Sequence, residues 1–128
     1  GYRCHVVVRD TEAEAIAAAH HLIAAVDDEE GARIRARSLD SQSTGVRRQA
    51  ELRESSAVDG FVEPHLWTGI GRARSGCGAA MVGNARQVAD KINRYRDMGI
   101  DAFILSGYPH RDECARFARD VLPLLRNG

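Results

Sequence analysis

Apolar residues along the chain form short continuous runs and helical spacings, and the first such pair opens the sequence. Arg3 to Arg9 contains three consecutive valines, which suit a strand buried on both faces, as in a parallel sheet. Thr11 and Glu14 then have the spacing of a capping box at a helix start. Apolar residues follow at helical spacing, at Ala15, Ala19, Leu22, Ile23 and Val26. The pattern predicts a strand followed directly by a helix.

The strand-helix pattern recurs twice near the C-terminus. Residues 79–82 are a predicted short strand, and Asn84 with Gln87 is expected to cap the next helix, which ends at Gly99. Its apolar face consists of Val88, Ile92, Tyr95 and Met98. Residues 100–106 form the third predicted strand, and Pro123 marks the end of the last helix. That helix is expected to carry on its inner face Cys114, Phe117, Val121 and Leu122.

Residues 27–65 differ from the rest of the chain. They are rich in charge, Ser and Gly, and their apolar residues show no sustained period. Connections in compact domains are usually about 4–6 residues long. We therefore expect a mobile, lid-like insertion or a disordered segment, with a short helix around residues 46–53.

The order β-α-(long loop)-β-α-β-α, with near-continuous apolar strands, is typical of right-handed parallel βα units. The fold class is therefore α/β, with residues 1–128 as one partial domain. Three strands cannot close a barrel, and the chain lacks an initiator Met and begins inside a predicted strand. We expect the closing portion of a larger α/β body.

Composition excludes several classes of protein. The 18 basic and 18 acidic residues balance to a net charge of zero, which argues against a nucleic-acid-binding module or a polybasic membrane anchor. The apolar runs are far shorter than the roughly 20 residues that cross a bilayer. Three cysteines without a C-x-x-C pair argue against a disulfide framework or a structural zinc site and favour a reducing cytoplasm. All basic residues except Lys91 are arginines, a bias that we attribute to codon usage.

The glycine-rich passage from Gly69 to Gly78 does not match a nucleotide-binding motif. A G-x-G-x-x-G motif would need a third glycine where the chain has Arg74, and no G-K-[ST] follows. Two interpretations remain. The passage is either a solvated turn or a pliable anion-binding loop, in which Arg72 and Arg74 offer forked donors to a sulfonate, phosphate or carboxylate.

Two further pairs of side chains carry candidate chemistry. Arg3 and His5 share one face of the first strand, which in a parallel barrel points into the interior, where a charged Arg needs a partner or a ligand. The alternative is that Arg3 lies at a frayed chain end and His5 is a hydrogen-bonded core histidine. Tyr108 and His110 follow the last strand at its carboxyl end, where α/β folds place binding and catalytic groups. The alternative is a βα turn whose backbone is fixed by Pro109.

Three other reactive side chains are expected to be structural. His20 and His21 lie on the first predicted helix and are expected at the surface. Cys114 is expected to pack in the core.

Four motifs occur together and in order: Arg3-x-His5 before the valines, the passage from Trp67 to Gly78, Met81-Val82-Gly83, and Ser106-Gly107-Tyr108-Pro109-His110. In this combination the chain closely resembles, over essentially its whole length, the C-terminal part of bacterial alkanesulfonate monooxygenases. These are FMNH2-dependent enzymes of the bacterial luciferase-like superfamily. The first and last motifs are fairly specific, whereas Val-Gly before a helix is shared across the superfamily.

The resemblance implies a (β/α)8 TIM barrel with a mobile insertion, of which this chain supplies about the last three strands. It also implies a separate NAD(P)H-dependent FMN reductase that delivers reduced FMN as a diffusing co-substrate. Reaction with O2 then cleaves the C–S bond of an alkanesulfonate to give an aldehyde and sulfite. The full-length enzyme is expected to be a homo-oligomer.

The resemblance also assigns roles to single residues. Arg3 and His5 match a strand pair in the sulfonate and flavin pocket, and Arg74 matches the arginine of a loop that closes over the reactants. Tyr108 and His110 match the pair after the last strand. His5, Arg74 and Tyr108 are thus the expected catalytic residues, all five are expected to bind substrate or flavin, and no metal is implied.

Other interpretations stay open. Sister enzymes that act on methanesulfonate or dimethyl sulfone share the architecture, and a deazaflavin-dependent oxidoreductase of the superfamily fits the Arg-x-His and Tyr-Pro-His motifs less well. An interpretation from another class is a catalytically incompetent truncated module that packs its apolar faces against a partner or itself.

Overall fold

The computed structural model describes residues 1–25, 29, 32–33, 36, 44–55, 59–72 and 78–126. The strands are β1 (Tyr2–Arg9), β2 (Phe61–Glu63), β3 (Leu66–Trp67), β4 (Ala80–Asn84) and β5 (Phe103–Ser106). The helices are α1 (Glu12–Ile23), α2 (Thr44–Glu54), α3 (Ala85–Asp97) and α4 (His110–Asp120), with 3-10 turns at Gly69–Arg72 and Leu122–Leu124. Within the described ranges no helix has the length and apolarity that a membrane span requires.

The three predicted strands are confirmed as parallel neighbours in a sheet of order β2-β3-β4-β1-β5. The two short strands β2 and β3 add an antiparallel edge beside β4. An arc of a TIM barrel would place β4 between β1 and β5, because consecutive barrel strands are neighbours. Here β1 lies in the middle, so the order differs from the barrel prediction. The valine run of β1 is buried on both faces.

The helices cover both faces of the sheet. One face of β1, with Val7, packs against α1. The other face, with Val6 and Val8, packs against α3 and the C-terminal part of the chain. The mixed α/β class is confirmed, and the described part of the chain forms an open sheet with helices on both sides.

Both predicted helix caps are confirmed. The hydroxyl of Thr11 accepts a hydrogen bond from the backbone N–H of Glu14, whose carboxylate accepts one from the N–H of Thr11. Asn84 and Gln87 make the same reciprocal pair at the start of α3. Gly99 follows α3 with φ at 97°, a backbone conformation that glycine adopts without a steric penalty.

The predicted inner face of the last helix is wrong in part. Cys114 is exposed, and Leu122 is half-exposed, whereas Val121 is buried. The residue of α4 that is buried is the acidic Glu113, because its carboxylate pairs with Arg9 on β1. Helix α4 therefore turns Glu113, and not Cys114, towards the sheet.

The insertion is described only in part. The short helix predicted around residues 46–53 is confirmed by α2, and β2 lies near the end of the segment. The rest of residues 27–65 falls largely outside the described ranges, so the lid stays a prediction. His20 and His21 are exposed on α1, as expected.

Candidate functional site

Three of the predicted site residues form one aromatic cluster beside the carboxyl end of β5. The imidazole of His5 is 3% exposed and stacks on the phenol ring of Tyr108, with centroids 5.3 Å apart and planes 24° apart. The Tyr108 ring also meets the ring of His110 edge-on at 4.7 Å. His5 comes from β1 and the other two from the segment after β5, so the fold brings distant parts of the chain together.

Ser106 belongs to the same cluster, although sequence reasoning did not select it. It lies opposite His5 in the β1–β5 register, and its hydroxyl oxygen is 3.4 Å from Nε2 of His5. One of the two groups can donate to the other, depending on which ring nitrogen carries the proton. The sequence indicated only that Ser106 ends a predicted strand. Its contact with His5 also depends on the pairing of β5 with β1, which the sequence did not indicate.

Arg3 lies on the same face of β1 as His5, two residues closer to the N-terminus, and it is exposed. Its neighbour across the sheet is Ile104 of β5, whose side chain is also largely exposed. No helix of the described chain covers this part of the sheet face. A cation beside an uncovered face and an aromatic cluster is suited to binding an anionic ligand.

Arg74 lies outside the described residues, so its assignment stays a prediction. The described start of the glycine-rich passage is a 3-10 turn that ends at Arg72, whose side chain is exposed.

A second feature that sequence reasoning missed lies behind the cluster. The carboxylate of Glu113 pairs with the guanidinium of Arg9 and accepts a hydrogen bond from the backbone N–H of Val8 at 3.5 Å. A Glu in the first turn of a helix is common as a favourable charge at the helix dipole, so the sequence contained no signal for burial.

The cluster has the groups that acid-base chemistry on a bound anion requires. Two imidazoles, a phenol and a hydroxyl can exchange protons or donate hydrogen bonds, and an arginine is close along the strand. In the described ranges, no three His, Cys, Asp or Glu side chains lie close enough together to hold a metal ion.

The fit to a flavin is partial. The half-buried ring of Tyr108 and the exposed ring of His110 offer flat surfaces and hydrogen-bonding groups to a planar heterocycle. A flavin phosphate would need an open helix N-terminus or a cationic pocket. Among the described helices, α1 and α3 have capped N-termini, and the first turn of α4 is acidic. These residues fit the ring of FMN and not its phosphate.

Comparison with known proteins gives relatives that match the whole chain, although no protein-family profile matches it. The chain is 59% identical over 128 residues to a sulfoquinovose monooxygenase of Novosphingobium aromaticivorans, covering 100% of this chain and 35% of that protein. It is 57% identical over 126 residues to a sulfoquinovose monooxygenase of Agrobacterium fabrum, covering 98% of this chain and 33% of that protein.

The chain therefore spans about a third of the length of the curated relatives it matches, and that third is their C-terminal part. The relatives are monooxygenases named for a sulfonate, which supports the predicted luciferase-like superfamily but not the predicted alkanesulfonate specificity. The chain is similar throughout to the C-terminal third of monooxygenases that act on sulfoquinovose.

Proposed function

We propose that this chain supplies the C-terminal third of a flavin-dependent monooxygenase that cleaves the C–S bond of a sulfonated sugar. The observation that carries the proposal is the 59% identity across all 128 residues to a sulfoquinovose monooxygenase. Sulfoquinovose is a hexose with a sulfonate on its C6 carbon, so its C–S bond is of the same kind as that of an alkanesulfonate. The expected products, an aldehyde at that carbon and sulfite, are therefore the same in kind.

The polar groups of the cluster are suited to a sugar. A sugar has several hydroxyl groups that need hydrogen-bond partners, and His5, Ser106, Tyr108 and His110 supply such groups within one cluster. A binding site for an alkyl chain would instead be lined mainly by apolar side chains. An alkanesulfonate remains the second candidate, because it presents the same anionic group and the cavity that adjoins Ser106 and His110 is lined mainly by apolar side chains.

We assign roles from the positions of the side chains. Arg3 binds the sulfonate through its forked donors. Tyr108 and His110 bind the sugar hydroxyls, and His5 holds or transfers a proton at its Nε2 atom, next to the Ser106 hydroxyl. Arg74 is proposed to contact the reactants from the glycine-rich passage.

The proposed co-substrate is reduced FMN, supplied by an NAD(P)H-dependent FMN reductase. When bound, the reduced flavin provides the electrons that activate O2. Tyr108 and His110 would lie against its ring, with His5 behind Tyr108, whereas its phosphate would be held by residues beyond the described ones.

A chimera tests the proposal. This chain replaces the matched C-terminal third of the Novosphingobium relative, and sulfite release is measured with a flavin reductase, FMN, NADH and either sulfoquinovose or octanesulfonate. We expect sulfite from sulfoquinovose and much less from octanesulfonate. A folded chimera that releases sulfite from neither substrate would contradict the proposal, and a preference for octanesulfonate would favour the second candidate.

The 128-residue chain by itself is the natural comparison. We expect it to release no sulfite in the same assay, because it spans only about a third of the length of the monooxygenases that it resembles. Appreciable turnover by the isolated chain would contradict its assignment as a third of the enzyme.

A further inference from the structure

A crevice opens between the carboxyl ends of β1 and β5. The two strands pair only as far as His5 and Ser106, whereas β1 continues to Arg9. The backbone N–H of His5 donates to Ala79 on the β4 side. Because N–H groups alternate sides along a strand, that of Val8 points towards β5, beyond the last paired residue.

Glu113 supplies the acceptor that the missing strand would have provided. One carboxylate oxygen accepts from the N–H of Val8 at 3.5 Å, and the other is bonded to the guanidinium of Arg9. The same guanidinium donates to the backbone carbonyl of Val8 at 2.6 Å. The carboxylate is 4% exposed, so this arrangement ties the first turn of α4 to the end of β1.

Gly107 lies between the side chain of Glu113 and the backbone of β1, where a larger residue would not fit. A Cβ atom at this position would lie 2.6 Å from the Cβ of Glu113 and 3.0 Å from the carbonyl oxygen of Val6. Two contacts therefore hold the segment from Gly107 to Pro109. One is the contact of Glu113 with Arg9 at the start of α4, and the other is the stack of Tyr108 on His5.

We propose that Glu113, held by Arg9, is the positioning residue for Tyr108. Pro109 precedes α4 and makes no side-chain capping bond, so the start of the helix is held by the Glu113 carboxylate instead. If that contact is lost, the first turn of α4 can move away from β1, and the preceding residues move with it. The ring of Tyr108 then no longer lies flat on His5. Only the consequence for turnover rests on the proposed function.

The first experiment needs no turnover. The 128-residue chain is prepared with 13C-labelled histidine, and the signal of His5 is assigned by its absence in His5→Gln. Tyr108→Ala, which removes the ring current, then gives the position of that signal without the stacked ring. We expect Glu113→Gln, which keeps the shape of the side chain, to move the His5 signal most of the way towards its position in Tyr108→Ala. Asp112→Asn is the matched control, because Asp112 is the exposed acidic neighbour in the same helical turn.

The outcome is decisive in either direction. A His5 signal unchanged in folded Glu113→Gln would overturn the proposal, and so would an equal change in Asp112→Asn. Should Glu113→Gln fail to fold, Arg9→Lys serves instead, since it keeps the charge and loses the planar donor group that reaches both Glu113 and the carbonyl of Val8. It is expected to move the signal in the same direction.

The second experiment uses the chimera. Glu113→Gln is expected to lower kcat about 10-fold with little change in KM, the size typical of a modest misplacement of reacting groups. In a Tyr108→Ala background the same substitution should have no further effect, because the residue acts through Tyr108. Additive losses would overturn the proposal. A chimera inactive without any of these substitutions would count against the proposed function, while the positioning role would be judged by the His5 signal.

Discussion

The imidazole of His5 and the phenol ring of Tyr108 stack at a centroid distance of 5.3 Å, although they lie near opposite ends of the chain. The contact joins β1 to the segment that follows the neighbouring edge strand β5. It covers one side of His5, which lies between Cys4 and the valine run in the buried part of β1. The reactivity of His5 is therefore expected to depend on the position of Tyr108.

Removing the ring of Tyr108 tests this dependence. We expect Tyr108→Ala to lower kcat/KM of the chimera for sulfoquinovose about 10-fold, because a stacked pair contributes roughly 0.5–1.5 kcal/mol beyond its buried area and the position of His5 is lost as well. Tyr108→Phe keeps the ring and should retain most of the activity. Equal losses in both variants would assign the effect to the hydroxyl group instead.

Arg74 is expected to bind an anionic reactant through its planar guanidinium. Arg74→Lys should then be nearly as damaging as Arg74→Ala, since lysine keeps the charge but not the fork. Loss of a charge-assisted contact of about 2–3 kcal/mol corresponds to a fall in turnover of roughly 30- to 150-fold. Arg72, exposed in the adjacent 3-10 turn, is the control, and Arg72→Ala should remain near wild type. Similar losses in the two alanine variants would contradict a specific role for Arg74.

The ion pair of Arg9 and Glu113 is expected to matter for stability as well as for position. Arg9→Ala leaves a carboxylate that is 4% exposed without its cation, which typically costs about 3–5 kcal/mol. The neighbouring pair of Arg116 and Asp10 is the control, because its N–O distance is 3.8 Å and Asp10 is 87% exposed. Asp10→Asn should cost less than about 1 kcal/mol. Urea unfolding of the 128-residue chain measures both, and similar costs would contradict the difference in burial.

Acid should weaken the contact between β2 and α3. The ammonium group of Lys91 donates to Glu63 at 2.7 Å and thereby holds the pKa of that carboxyl below its usual value of 4.5. A lowered pKa in the folded state means that the stabilisation is present above the ordinary pKa and is lost as the pH falls through and below it. Burial raises the pKa of Tyr95, so its hydroxyl stays protonated and donates to Glu63 throughout this range.

The measurement is the difference in unfolding free energy between wild type and Glu63→Gln. We expect wild type to be more stable by up to about 1 kcal/mol near neutral pH, a modest figure because the Glu63 side chain is 42% exposed. The difference should shrink as the pH is lowered to about 3. A difference that stays constant from neutral to acidic pH would show that the charge of Glu63 is not what stabilises the contact.

The elements of this protein were largely determined by local sequence. Thr11 with Glu14 and Asn84 with Gln87 start their helices as predicted, and Gly99 follows α3 in the left-handed conformation. Capping bonds and backbone preferences act over a few residues, so their outcome depends little on the rest of the fold. The valine run and the apolar residues of 100–106 predicted strands for the same local reason, and with them the α/β class.

The tertiary structure alone decided how these elements combine. Which strands are neighbours depends on competition between pairings far apart in sequence, and the apolar runs of β1, β4 and β5 are too alike to specify the order. The burial of Glu113 rather than Cys114 depended on Arg9 lying opposite α4, because a carboxylate leaves water only where a cation and an N–H group replace its hydration. The same long-range arrangement places Tyr108 on His5. The sequence therefore indicated which residues carry chemistry, and packing across the sheet determined which of them meet.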